Sequence, residues 1–441
     1  MLMLWCWISV FLTSYIFHGS YILNLIVVLG YIIVLFYLLI KKEDFFIIGS
    51  FFLWSILTTA ISGLILETGV FLPELGEIST VNGATAINVS LAVITFLIAS
   101  NFFIFVNERI VVNLNTSFVV NAIIERIYPV LVLFATLVVI FFFIKFGRPS
   151  DYGQDRFYYW NNVAPSWGNN VRLFVEQSVF ILGCIYAKTK SKFTLGIFLF
   201  GVISQVLVGE KFTGIFQMLL FFSVCFLIAS NKKISKKLFS LRSILLFSVL
   251  GIAFVTLVWT SYFSLSGDSS LAFESLKTRI AAQSQLWWSL TNTANSAEVD
   301  VSNIFGNFFG IGVQPENTGM SYLMGLVMPQ QLFNVYQEAG IALTMAFPAN
   351  VLLFFGPVLA LLVCAILAFF LSLAFWFTAY TLRNKDYILL FIAMKVFNIA
   401  IQFILMGRVY LLFEWKIILL LLPLVFALVA HSKNRVSRTN V

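Results

Sequence analysis

The feature that most constrains this chain is a succession of apolar stretches, each near the length of a lipid bilayer. They lie near 2–17, 21–40, 45–66, 85–106, 127–146, 173–187, 193–209, 212–230, 243–263, 350–380, 387–406 and 414–430. A spanning helix needs about 20 mostly apolar residues. In lipid every backbone polar group must be satisfied internally, so a chain written this way is expected to be helical. Composition agrees: 61% of residues are hydrophobic and 10% are charged, with fifty phenylalanines and two histidines. Soluble chains carry about 25% charge. The expectation is an all-α polytopic membrane protein of about twelve transmembrane helices with one large helical outer loop. The first stretch has no positive n-region and no small-residue cleavage site, and is read as a retained helix.

The connections alternate in charge. One set holds Lys41 and Lys42, Arg109 and Arg126, Lys188, Lys190 and Lys192, the run Lys232, Lys233, Lys236, Lys237 with Arg242, then Arg383 and Lys385, and the tail Lys433, Arg435 and Arg438. Only Glu43, Asp44, Glu108, Glu125 and Asp386 oppose them. The other set holds the acidic loop 67–77, the loop 147–172, the turn at Glu210 and Lys211, the stretch 264–349 and the turn at Arg408. The positive-inside rule puts the first set and both termini in the cytoplasm. The net charge of +8 is therefore a topology signal, with no nucleic acid implied. Division follows: 1–263 with nine helices including the loop 147–172, a periplasmic loop 264–349, helices ten to twelve over 350–430, and a cytoplasmic tail 431–441.

No internal repeat is visible, which counts against inverted-repeat transporter folds. The long loop holds Leu271, Phe273, Ile280, Leu286, Trp287, Trp288, Phe305, Phe308 and Phe309. That is too apolar for disorder, so it should fold onto the top of the bundle. The tenth stretch is long enough to tilt strongly, or to begin as an outer helix near Pro348 or Pro357.

Charges outside the basic connections are informative in a membrane protein. The loop 147–172 offers Arg148, Arg156 and Arg172 among Tyr152, Tyr158, Tyr159, Trp160 and Trp167. Arginine binds diphosphate bidentately, and aromatic faces stack on sugars. Arg156 and Arg172 are candidate anion ligands, with ion pairing to Asp155 or Glu176 as the alternative. In the segment SLKTRIAAQSQLWWSL (275–290) helical spacing puts Arg279, Gln283 and Trp287 on one face. That stripe suits a phosphate and a glycan together; an amphipathic helix lying on the bundle is the alternative. Glu210 and Lys211 form a pair at a tight turn, either snorkelling or supplying a cation to the same ligand. Arg408 and Tyr410, with Glu414 and Lys416, mark the last outer turn. Lys395, Asn398 and Gln402 make a polar stripe expected to face the bundle interior.

Several chemistries are excluded or disfavoured. No carboxylate sits mid-membrane for proton coupling, and there is no Walker A run, HExxH or DxD. The pair Glu298 and Asp300 is weak support for metal, so no metal and no cofactor is expected. Cys6, Cys184, Cys225 and Cys364 lie in apolar stretches, widely spaced, which excludes a disulfide framework. His18 and His431 lie at opposite faces, so no histidine base is available in the long loop.

The twelve-helix layout, the two arginine-bearing outer loops, and the stretches VGEKFTG (208–214) and RIAAQSQLWW (279–288) resemble the bacterial O-antigen polymerases. The resemblance covers most of the chain by topology and rests on short motifs. It implies a fold of the GT-C-like kind, in the bacterial inner membrane, with its active face periplasmic. It implies transfer of a growing glycan from undecaprenyl diphosphate onto the non-reducing end of an incoming lipid-linked repeat unit, without a nucleotide sugar. By position the diphosphates would fall to Arg156, Arg172 and Arg279, with Lys211 and Arg408 as further cations. Gln283, Trp287 and Tyr410 would meet the glycan. Departure of diphosphate needs fixed cations and at most weak general-base help, for which Glu210, Glu338 and Glu176 are candidates in that order. A chain-length regulator and a flippase of the same pathway are the implied protein partners. The related O-antigen ligases end this loop with a pattern like H-N-x-x-L…E-x-G-I. Here PQQLFNVYQEAGI (329–341) keeps Glu338, Gly340 and Ile341, but Pro329 stands where the histidine would. The ligase is thus disfavoured; a flippase or exporter of lipid-linked oligosaccharide is the rival from another class.

Overall fold

The computed structural model describes residues 2–109, 118–147, 159–208, 212–231, 268–296 and 301–414, with isolated positions between 231 and 268. The expected helix 243–263, all but the first residue of 414–430, and the tail 431–441 lie outside the described residues, apart from those isolated positions. What is described is helical throughout, save for one antiparallel hairpin, β1 (Phe71–Leu72) with β2 (Glu77–Ile78), Phe71 facing Ile78.

The other ten apolar stretches form helices. They are α1 (Leu2–Ile16), α2 (Tyr21–Lys41), α3 (Glu43–Ile48) with α4 (Ser50–Leu66), α5 (Ala84–Arg109) and α6 (Phe118–Phe146). Then come α7 (Ser166–Gln177) with α8 (Val179–Thr189), α9 (Lys192–Leu207) and α10 (Phe212–Ala229). The outer loop supplies α11 (Ser269–Ala281), α12 (Gln285–Ser296), α13 (Gly319–Val327) and α14 (Gln330–Ala339), followed by α15 (Ala349–Asn384) and α16 (Tyr387–Met406). Six are long and apolar enough to cross a membrane: α2, α5, α6, α7 with α8, α15 and α16. α1, α4, α9 and α10 are shorter apolar helices. The chain is a multi-pass membrane protein by its apolar helices. The expected count of twelve spans is larger than the six that meet the length criterion among the described residues.

Three breaks depart from the hydropathy reading, two of them with a local cause. The stretch 45–66 divides at Gly49, where a Cβ would lie 3.0 Å from the Phe45 carbonyl and 3.1 Å from the Phe375 ring. Glycine accepts that approach without displacing either neighbour. The stretch 173–187 begins earlier, and two helices meet at Ser178. α15 would be about 54 Å long if straight, against a hydrocarbon core of about 30 Å. It kinks at Gly356, which takes φ 64° and ψ 176° before Pro357. A residue preceding proline is pushed out of the α region, and glycine accepts the positive φ.

α5 is the hub of the bundle: 72% of its apolar window is buried, more than for any other membrane-length helix described. α15, α1, α2, α4 and α12 all pack on it. Lipid tails are as apolar as a core, so helices in a membrane associate through shape and dispersion. Much of that contact is aromatic. Phe52, Phe375 and Phe397 stand 5.2–5.8 Å apart by ring centroid, and Phe180, Phe221 and Phe397 4.6–5.6 Å apart. Tilted and edge-on pairs of this kind add to the area they bury.

The basic connections among the described residues meet at one end of the bundle. Arg383 pairs with Asp44 and donates to Asn107 Oδ1 at 3.1 Å. Lys188 pairs with Glu125, the Tyr387 amide donates to Asn121, and Lys42 reaches Ser100 and Asn101. At the other end of α5 the hairpin and the outer loop come together, as the next section describes.

Candidate functional site

The outer loop is set into the bundle by α12. Leu286, Trp287, Trp288 and Leu290 are buried. The Trp287 indole donates to the Phe347 carbonyl at 3.1 Å, and the Trp288 indole to the Thr80 carbonyl at 2.8 Å. Asn82 Nδ2 donates to the Trp288 carbonyl at 2.9 Å and to Asn292 at 2.7 Å. Asn88 Nδ2 donates to Thr291 at 3.0 Å. Beneath this, the buried Glu67 carboxylate accepts five hydrogen bonds. They come from Asn24 Nδ2 (2.7 Å), the amides of Asn82, Gly83 and Thr85 (3.0–3.2 Å) and the Thr85 hydroxyl (2.7 Å). Three of the donors are amides at the start of α5, where free N–H groups and the helix dipole favour a negative charge.

Anchoring α12 settles the stripe expected over 279–287, and corrects it. The helix passes through a 3-10 turn at Ala282–Ser284, so the i, i+4, i+8 register does not run through. Arg279 and Gln283 are exposed, whereas Trp287 is 1% exposed and committed to Phe347. Trp287 therefore holds the loop to the bundle and does not share a face with the other two.

Arg279, exposed in the last turn of α11, belongs to a cluster that no sequence motif marks. Tyr336 on α14 has its phenol held above the ordinary tyrosine range, first by burial, then by the Glu74 carboxylate, with the Arg279 guanidinium pulling the other way. Glu74 lies in the hairpin, and a Cβ on Gly76 (φ +72°) would stand 3.9 Å from Pro329 at the start of α14. Hairpin, α11 and α14 thus converge. Glu338, also on α14, is exposed. The signal for Tyr336 was present in the alternation of QQLFNVYQEA, whose helix turns Tyr336 half inward and leaves Glu338 outside.

Arg408 and Tyr410 form a second group. Arg408 is exposed and donates to Gln402 Oε1 at 3.3 Å. The glycines of the run 303–319 admit them: a Cβ on Gly310 would stand 2.7 Å from Tyr410 Cβ, and one on Gly319 3.1 Å from Arg408 Cγ. Of the polar stripe on α16, Asn398 and Gln402 are half-buried, but Lys395 is exposed, against the expectation that it faces inward.

Arg172 is 8% exposed. Its Nη1 stands 3.3 Å from Glu176 Oε2 and its Nε donates to Asn169 at 3.0 Å. The ion-pair alternative is thus what the structure contains at Arg172. Arg156, Glu210 and Lys211 lie outside the described residues, as do Glu298 and Asp300. Among the described residues no group of three or more His, Cys, Asp or Glu side chains could hold a metal.

A family of unknown function, DUF6418, matches residues 314–421. That span takes in α13, α14, α15 and α16 with Glu338, Arg408 and Tyr410, and leaves out Arg279 and Glu67. No curated protein and no solved structure matches the chain.

Proposed function

We propose that this protein is a glycosyltransferase of the O-antigen polymerase kind, acting at the periplasmic face of a bacterial inner membrane. In this reading about twelve helices span the bilayer in a GT-C-like arrangement, with both termini cytoplasmic. The substrate is an undecaprenyl-diphosphate-linked oligosaccharide. The observation that carries the reading is Arg279. It is an exposed cation on a segment whose next turns are locked into the bundle, beside Tyr336 and Glu74.

Breaking an anomeric bond to diphosphate leaves negative charge on the departing oxygens. A guanidinium fixed before the reaction stabilises that charge without reorganising, and removing one such donor typically costs about 10²–10³ in rate. Arg279 is assigned that role, with Arg408 as a second cation on the outer side. Glu338 is the exposed carboxylate nearest in sequence to Tyr336, and serves as the candidate base for the acceptor hydroxyl.

The test is a chromosomal deletion complemented with variants, read on a lipopolysaccharide gel. Loss of a polymerase leaves core bearing a single repeat unit, whereas loss of a flippase or a ligase leaves bare core. Arg279→Ala should give the single-unit pattern at unchanged protein level. A normal ladder from that variant would remove Arg279 from the site, and bare core from the deletion would overturn the polymerase reading itself.

A further inference from the structure

The opposite end of α5 lies among basic connections and borders a cavity. A cavity of about 480 Å³ opens between the turn joining α2 to α3, the last turns of α5, and the end of α10. Small-molecule sites typically span ~300–1,000 Å³. Its lining includes Lys41, Lys42, Glu43, Asp44, Asn107 and Asn231.

Lys42 is the unusual member. It is 8% exposed, and its ammonium donates to Ser100 Oγ at 3.0 Å and Asn101 Oδ1 at 2.5 Å. Both acceptors are neutral, and an ammonium has three N–H groups to satisfy. It forms no ion pair among the described residues. Buried cations are ordinarily matched by an anion. The carboxylates that line the cavity are otherwise disposed: Asp44 is held by Arg383, which also grips Asn107, and Glu43 makes no bond to Lys42. The lining holds two cations, Lys41 and Lys42, and two carboxylates, Glu43 and Asp44, the latter already paired with Arg383. Lys42 is also the C-cap residue of α2, where the helix dipole favours a cation, and its ammonium stands 5.9 Å from the Tyr37 ring; neither supplies a matching anion.

We propose that this cavity binds a phosphate-bearing anion, with the Lys42 ammonium as its buried charged contact and the Asn107 and Asn231 amides at its mouth. The inference stands independently of the outer-face reading. An anionic phospholipid headgroup and a soluble phosphate both carry the required chemistry.

The full chain in phosphatidylcholine nanodiscs distinguishes these sources. One arm adds phosphatidylglycerol to the bilayer; the other adds inorganic phosphate to phosphatidylcholine alone. A rise in Tm with phosphatidylglycerol identifies a lipid, and a rise with phosphate identifies a soluble ligand. Lys42→Met should weaken the effective ligand at least tenfold. Ile104→Trp should do the same by filling the cavity while keeping Lys42. Arg109→Gln removes a cation that stacks on Phe105 outside the lining, and should leave binding within twofold. No response in either arm, or equal loss in Arg109→Gln and Lys42→Met, would overturn the proposal. If Lys42→Met fails to fold, Ile104→Trp decides alone: unchanged affinity there is also a refutation.

Discussion

Glu67 and Lys42 are both buried charges tied to α5, one at each end, and they are treated oppositely. Glu67 is enclosed by five donors, three of them backbone amides that begin the helix. Lys42 has two neutral acceptors and a cavity beside it. The first charge is completed by the fold; the second is left for something else to complete. A buried charge is therefore informative about function only after its partners have been counted.

The comparison breaks most sharply at Glu67. Glu67→Ala leaves five buried donors without an acceptor, each worth about 1–3 kcal/mol when orphaned. A loss of about 3 kcal/mol or more is expected in thermal unfolding in detergent. An unchanged Tm would mean the network is not what closes the outer end. Gly63→Ala tests the same shell from its neighbour. The added Cβ would fall 2.3 Å from Thr85 Oγ1, the hydroxyl that bonds Glu67. Overpacking of this kind costs about 1–3 kcal/mol. The pair Gly63→Ala with Thr85→Ala should be less damaging than the two singles added, and strict additivity would show that the crowding is imaginary.

Smaller effects sharpen the contrast. Trp288→Phe keeps a ring but removes the bond to Thr80, for about 1 kcal/mol; Trp287→Phe should cost a similar amount through Phe347. Lys42→Met, by contrast, should change stability by less than about 1 kcal/mol at pH 7 in the absence of phosphate-bearing ligands, because the burial penalty and the two lost bonds oppose each other. Burial lowers the Lys42 pKa from 10.5 to about 8. Between those values the unfolded chain holds a proton that the folded chain has released, so stability rises with pH. Wild type should gain on Lys42→Met from pH 8 towards 10. Parallel Tm curves for the two proteins across that window would rule out a buried, titrating Lys42.

Much of this was legible in the sequence. Hydropathy located ten helical stretches, because segment-averaged transfer energies do not depend on distant contacts. The outer cluster was less legible. RIAAQSQLWW contains neither glycine nor proline, so nothing announces the 3-10 turn that separates Trp287 from Arg279 and Gln283. Glu67 and Glu74 looked alike as members of one acidic loop. Only the chain's return through Asn82–Thr85 buries the first, while Arg279 and Tyr336 come near the second. The first distinction closes over 15–18 residues and the second over more than 200, and no helical or hydropathy period encodes either.

Those long separations bear on how the protein is made. Thr80 and Asn82 find their partners at Trp288 and Asn292, 206–210 residues later. At ~5–20 residues per second of synthesis, α4 and α5 wait about 10–40 s before the ribosome delivers α12. Through that interval the Thr80 carbonyl and the Asn82 carboxamide stand without these partners. The assembly of α4 and α5 is closed late, by a segment that follows eleven other helices among the described residues.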